Sequence, residues 1–337
     1  MKVSRWYSNK DIRLEEIPTP RPGPGEMLVK VLSCGICGSD VVEWYRLPRA
    51  PLIQGHEIGA EVAEVGESVK HYRPGDRVFV APKVPCMKCR YCGNGNYPAC
   101  SNVAERLPGG FAEYILVPEV LVARGTYRLP ENVSFDQSTF IEPLACVIRA
   151  QKLAGIKETR SVMVMGCGMS GLLHIKLAGK SSCRIVATDV NRTRLEFARR
   201  AGAETLIDAG DNVPERLISA TGKKADVVVL CTSAVSAVNQ AWKCVDKGGS
   251  IVFFAVPGPD KQVAVPINDF WTQEIRILTS YYCGPPDIVS AMQLIADGTV
   301  RVEDLITHRL PLKDTARGFE MVLRGQESIK VIIKPNE

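Results

Sequence analysis

The sequence predicts an α/β protein of two domains, one β-rich and irregular and one built on a doubly wound parallel sheet. Three observations carry this expectation. Short apolar runs separated by Pro/Gly turns fill the first part of the 337-residue chain. From about residue 161, β-branched runs alternate with helical stretches, which implies a parallel sheet covered on both faces. The first of those runs, VMVM, leads directly into Gly166-Cys-Gly168-Met-Ser-Gly171 and a following helix.

In the first part, strands are expected at 27–32, 61–65 and 77–80, between turn-forming segments such as PTPRPGPGE and RPGDR. This domain is expected to span 1–144, with a cysteine-rich lobe at about 83–103. The second domain, 145–279, has expected strands at 161–165, 184–188, 205–207, 226–230, 250–255 and 275–280, with helices such as 192–201 and 235–245 between them. The remainder, 280–337, reads as a helix over 285–298 and a closing strand at 330–335.

Composition is that of an ordinary globular chain, 45% hydrophobic and 23% charged. The net charge of +5 comes from interspersed residues, so no nucleic-acid partner is expected, and no apolar run is long enough to span a bilayer. The opening MKVSRWYSNKDIRLEE carries no apolar signal segment, so a reducing, cytoplasmic compartment is expected. There Cys86, Cys89, Cys92 and Cys100, at C-x2-C-x2-C-x7-C spacing, can wrap one tetrahedral Zn²⁺. Four sulfurs leave no open position, so such a site would hold a loop in shape; a disulfide staple is the alternative. Cys146, Cys183, Cys231 and Cys244 sit among apolar or small residues, as buried thiols do.

The glycine motif has the context a dinucleotide site needs. Gly166 permits a tight turn, Gly168 lets the backbone approach a pyrophosphate, and Gly171 allows close helix–strand packing. Met169 and Ser170 then open a helix whose free N–H groups and dipole favour phosphate. The next strand ends in Asp189, whose carboxylate would accept both ribose hydroxyls and repel a 2′-phosphate, favouring NAD over NADP. Asp189 as a strand-end turn residue is the plainer alternative. Arg192 and Arg194 work the other way, since an arginine there could receive a 2′-phosphate.

A second set of metal ligands is present. Cys37 lies in CGICGSD and is followed by Gly55-His56-Glu57, and three protein ligands plus water make a catalytic zinc. Glu142, within the apolar FIEPLAC, needs a cationic or metal partner if buried. Other readings exist for each: Cys34 and Cys37 as a redox dithiol, His56 as a core or surface histidine, Glu142 paired with Arg149.

Taken in order, CGICGSD, GHE, the four-cysteine lobe, GGFAEY, EPL, the glycine motif, Asp189 and the terminal KVIIKP resemble the zinc-containing medium-chain alcohol dehydrogenases almost end to end. The resemblance implies a GroES-like β domain, completed by the C-terminal segment, around a Rossmann domain. Glu142 stands where other members place a second cysteine, which resembles the polyol (sorbitol) and threonine dehydrogenase branches. It implies zinc held by Cys37, His56 and one or both of Glu57 and Glu142, directly or through water. It also implies Ser39 as the hydroxyl that takes the alcohol proton and Asp40 as the orienter of His56. A homotetramer or homodimer is implied as well.

Three departures bear on the substrate. Val42 replaces a histidine that often ends the proton relay. The stretch between Cys100 and Gly109 is short, implying a more open pocket. Tyr281 replaces the arginine of an arginine–tyrosine pair while Tyr282 is kept, and Glu43 and Trp44 fall where the polyol branch lines its pocket. The expected function is zinc-dependent hydride transfer between NAD and a secondary alcohol of a polyol, sugar alcohol or cyclitol-like molecule. Alternatives are an amino-alcohol or 3-hydroxy-amino-acid dehydrogenase, for which the acidic Glu43 would be a contributor, and a zinc- and NAD-binding sensor without turnover.

Overall fold

The structure is a computed structural model and describes residues 1–103, 105–157 and 160–337. It divides into two compact units: Met1–Ala145 together with Cys283–Glu337, and Cys146–Tyr282.

The second unit is a six-stranded, wholly parallel sheet in the order Thr205–Asp208, Arg184–Asp189, Ser161–Met165, Ala225–Leu230, Val245–Phe253, Arg276–Thr279. The order reverses between Ser161–Met165 and Ala225–Leu230, and ligands of such sheets bind beyond the strand ends at that point. Ser161–Met165 is buried along its whole length, as a central strand covered on both faces must be. Met163, Val186, Val228, Ile251 and Phe270 belong to its core. One strand begins earlier than expected, at Val245 instead of residue 250. Gly248 turns with φ +67 and the pairing skips between Ala225 and Val227, so a bulge continues the strand through residues that read as a turn.

The first unit is built on a seven-stranded sheet. Its order is Thr126–Arg128, Arg77–Val80, Glu57–Val65, Met27–Gly35, Lys330–Lys334 and Ile306–Pro311, with Tyr114–Val117 also pairing to Met27–Gly35. Lys330–Lys334 runs antiparallel to Met27–Gly35 and parallel to Ile306–Pro311, so the C-terminal segment is an interior strand of this sheet. Trp6, Val31, Ile58, Val80, Phe111, Phe319 and Ile333 pack the core, and the Phe111 and Phe319 rings meet edge to face at 5.7 Å. No helix among the described residues is long and apolar enough to cross a membrane.

Candidate active site

Cys37 caps a short 3₁₀ turn, Gly38–Val41, that follows the strand Met27–Gly35. Its Sγ accepts from Ser39 N–H (3.4 Å), and Asp40 returns a carboxylate oxygen to Cys37 N–H (3.0 Å). The CGSD sequence thus builds its own capping box, with Cys37 rather than Ser39 as the cap. Glu57 opens the neighbouring strand Glu57–Val65, and His56 immediately precedes it. Donor atoms of Cys37, His56 and Glu57 lie within 4.8 Å of one another. Glu142, 5% exposed at the start of the helix Ile141–Ala154, is not part of that group. The charge of Lys83 interacts favourably with it.

Asp40 is fully buried and anchors the cluster. Its Oδ1 lies 3.3 Å from His56 Nδ1 and 2.9 Å from Arg46 Nη2. Burial opposes the Asp40 carboxylate, but His56 and Arg46 outweigh it and hold its pKa below the ordinary value. Burial likewise opposes a charged His56, and the Asp40 carboxylate and Cys37 sulfur reverse that, raising the imidazole well above its usual pKa. With Nδ1 facing Asp40, Nε2 is the nitrogen left for a metal.

Glu57 is completely buried and makes a short ion pair through Oε2 with Lys330 Nζ, itself completely buried. Glu57 Oε1 has no hydrogen-bond partner. A buried carboxylate oxygen without a donor, next to a thiol and an imidazole nitrogen, suits a cation, so this donor set fits zinc.

The four-cysteine group fits a second zinc. Cys89 Sγ lies 3.6 Å from Cys92 Sγ and 3.9 Å from Cys100 Sγ. Sulfurs about 2.3 Å from one tetrahedral zinc sit about 3.8 Å apart, whereas a disulfide would need about 2 Å. Backbone N–H groups of Cys92 and Ser101 lower the Cys89 thiol to about 6, while burial raises Cys92 to about 12. None of the twelve cysteines is joined in a disulfide.

In the other unit, Gly166 has φ +97. A Cβ on Gly171 would lie 1.9 Å from Gly166 O, so that glycine is required for the turn. A Cβ on Gly168 would meet nothing closer than Arg194 Nη1 at 3.7 Å, which leaves the approach open to a pyrophosphate. Gly168 caps the helix Met169–Gly179, whose first turn contains Met169, Ser170 and Gly171. Asp189, 6% exposed, accepts from Cys167 N–H (2.6 Å) and Asn191 N–H (2.8 Å). Each carboxylate oxygen keeps a second lone pair for a hydroxyl. Arg194 Nε is buried without a partner.

Of the four residues expected to line a pocket, Glu43 and Trp44 belong to the first unit, Tyr281 and Tyr282 to the second. Glu43 accepts from Asn9 N–H at 2.8 Å, and Trp44 is exposed, edge-on to Tyr45 at 5.9 Å. Tyr281 is exposed, and Tyr282 has φ +58. Sequence reasoning missed Arg46 and Lys330. Neither belongs to a ligand spacing; only the buried partners Asp40 and Glu57 signalled that cations had to be supplied.

Residues 23–130 match the family model for the alcohol dehydrogenase GroES-like domain and 171–297 that for zinc-binding dehydrogenase. Sheep (Ovis aries) sorbitol dehydrogenase is 32% identical over 342 residues, covering 96% of this chain and 93% of its own. The chain belongs to the zinc-containing medium-chain alcohol dehydrogenase family. Within this family it falls in the polyol branch, and it is a nicotinamide- and zinc-dependent dehydrogenase. Two solved structures of zinc or alcohol dehydrogenases share the fold across 99% of each chain. A Sinorhizobium meliloti 1021 zinc-binding dehydrogenase bound to NADP has a TM-score of 0.88 at 28% identity. An alcohol dehydrogenase of Escherichia coli CFT073 complexed with NADH has a TM-score of 0.88 at 26% identity.

Proposed function

We propose that the protein oxidises a secondary alcohol of a polyol, sugar alcohol or cyclitol-like molecule with NAD, or reduces the corresponding ketone. The observation that carries this reading is the Cys37, His56 and Glu57 donor group, with its partnerless Glu57 oxygen, beside the Ser39 hydroxyl. Cys37, His56 and Glu57 would hold the catalytic zinc, and Glu142, outside their donor group, is the further carboxylate that the family resemblance implies. Cys86, Cys89, Cys92 and Cys100 would hold the structural zinc. When bound, the catalytic zinc supplies a Lewis acid for the substrate oxygen and the nicotinamide accepts the hydride. Ser39 accepts the alcohol proton, and Asp40 fixes the His56 tautomer.

Asp189 is the basis for NAD. Its two backbone N–H bonds aim a buried carboxylate at the glycine loop, where it would take ribose hydroxyls and oppose a 2′-phosphate. An amino-alcohol substrate is less favoured, because Glu43 uses one carboxylate oxygen on the Asn9 backbone. The same reading takes the enzyme to be a homo-oligomer of a reducing, cytoplasmic compartment, where four clustered thiols stay free for zinc.

The test is reduction of NAD and NADP by the zinc-loaded protein against polyols, cyclitols, amino alcohols and simple secondary alcohols. Turnover of a polyol or cyclitol with NAD is expected. Faster turnover of amino alcohols would overturn the substrate class, and preference for NADP would overturn the cofactor.

A further inference from the structure

We propose that Arg46 is a positioning residue that sets the Ser39 hydroxyl for proton transfer; this rests on the reading of Ser39 given above. Arg46 ends a one-turn helix, Glu43–Arg46, and its side chain is only 11% exposed. Its Nε donates to Ser39 O at 3.0 Å, and its Nη2 donates to Ser39 Oγ and to Asp40 Oδ1, both at 2.9 Å. The guanidinium carbon also lies 5.0 Å from the Tyr45 ring centroid. A planar fork reaches a backbone carbonyl, a hydroxyl and a carboxylate from two nitrogens at fixed spacing, whereas a lysine has three donors on one freely turning nitrogen.

The consequence falls on Ser39. A serine hydroxyl has one proton and two lone pairs. The Arg46 N–H takes one lone pair, and the Ser39 O–H is turned toward Cys37 Sγ at 3.3 Å. One lone pair remains, so the hydroxyl has a single accepting direction. A proton accepted there is balanced when the serine's own O–H turns from Cys37 Sγ and releases its proton to solvent water, so Ser39 ends neutral. Arg46 enters only as a donor, since a guanidinium has no acceptor. Val42 is apolar and offers no titratable group to the same hydroxyl. Arg46 therefore acts by orientation, and through Ser39.

The experiment compares Arg46→Met and Arg46→Lys, each alone and combined with Ser39→Ala. It reads kcat, the solvent deuterium isotope effect on kcat, zinc per chain and the thermal midpoint. Arg46→Met is expected to lower kcat on the order of tenfold to a hundredfold, raise the isotope effect and leave about two zinc ions per chain. Arg46→Lys should recover part of the loss, and it carries the test if Arg46→Met does not fold. With Ser39→Ala present, either Arg46 change should alter kcat by less than about twofold, as expected for residues that act as a unit. An undiminished Arg46 effect without the serine overturns the proposal, as does loss of zinc in both Arg46 variants or an unchanged kcat. Full activity of Ser39→Ala alone overturns the Ser39 reading itself, and the proposal with it.

Discussion

Lys330 and Glu57, 273 residues apart in the chain, form an ion pair that is completely buried on both sides. Lys330 Nζ also lies 5.1 Å from the centroid of Phe140. Removing one member of such a pair leaves the other as an isolated charge away from water. Lys330→Met is therefore expected to cost about 3–5 kcal/mol of unfolding free energy, read from urea melts. A loss under about 1 kcal/mol would mean that Glu57 finds another partner or takes up a proton at little cost.

Gly35 tests the same pair without touching its charges. A Cβ there would lie 2.5 Å from Glu57 Oε2 and 2.6 Å from Lys330 Nζ. Gly35→Ala should push the two side chains apart and lower the zinc content by about one ion per chain while the four-cysteine zinc stays. Retention of both ions would show that the Glu57 carboxylate is not needed to hold the first.

Cofactor choice should follow Asp189. Replacing it with serine removes the carboxylate that opposes a 2′-phosphate and leaves Arg194, whose Nε is buried without a partner, close to the glycine loop. The ratio of kcat/KM with NAD to that with NADP is expected to fall on the order of tenfold or more, the worth of one charged hydrogen bond. An unmoved ratio removes Asp189 from the ribose site.

His174 makes the nucleotide-type unit sensitive to acid. It is fully buried, stacks edge-on to Phe254 at 4.8 Å, and its Nε2 has no partner. Burial pushes its pKa down to about 3. The unfolded chain takes a proton near the ordinary value of about 6.5 while the folded chain does not, so stability is full above that value and falls as pH drops toward 3. The expected slope is about 1.4 kcal/mol per pH unit from this one group. His174→Leu should flatten the stability profile over that window; an unchanged profile would mean that water reaches the ring.

The four-cysteine zinc should have its own pH limit. Cys89 is held near 6 by backbone N–H groups, so it is already a thiolate at neutral pH. Zinc competes with protons for it only as pH falls through that value. Burial raises Cys92 to about 12, so zinc must displace its proton across the neutral range. Chelator competition should therefore show affinity falling as pH falls throughout, and falling more steeply by one proton below about pH 6, where Cys89 is protonated. No added steepness there would mean that Cys89 is not the low thiol.

What was legible in the sequence was local. Gly166, Gly168 and Gly171 sit within six residues, the strand 161–165 falls on the observed Ser161–Met165, and the helix 192–201 on Arg192–Ala201. Cys86, Cys89, Cys92 and Cys100 are close enough in sequence for spacing alone to bring them together. The first unit was harder, because its strands are short and pair across long separations. Lys2–Ser8, Tyr114–Val117 and Ile306–Pro311 were not among the strands expected from the sequence. The pairing of Lys330 was hidden for the same reason: no window of sequence contains both it and Glu57. Arg46 lay close to Asp40, but a single arginine on a four-residue helix matches no spacing rule.

The interior position of Lys330–Lys334 has a consequence for biosynthesis. The nucleotide-type unit, Cys146–Tyr282, is one continuous piece of chain, and all six of its parallel strands have been translated by residue 279. The other unit holds residues from both ends of the sequence. Its sheet keeps the Cys34–Gly35 end of Met27–Gly35 without its Ile332–Ile333 partner until the last strand leaves the ribosome. Through most of translation Glu57 has no lysine to meet, and the metal-binding unit closes last although its first residues were made first.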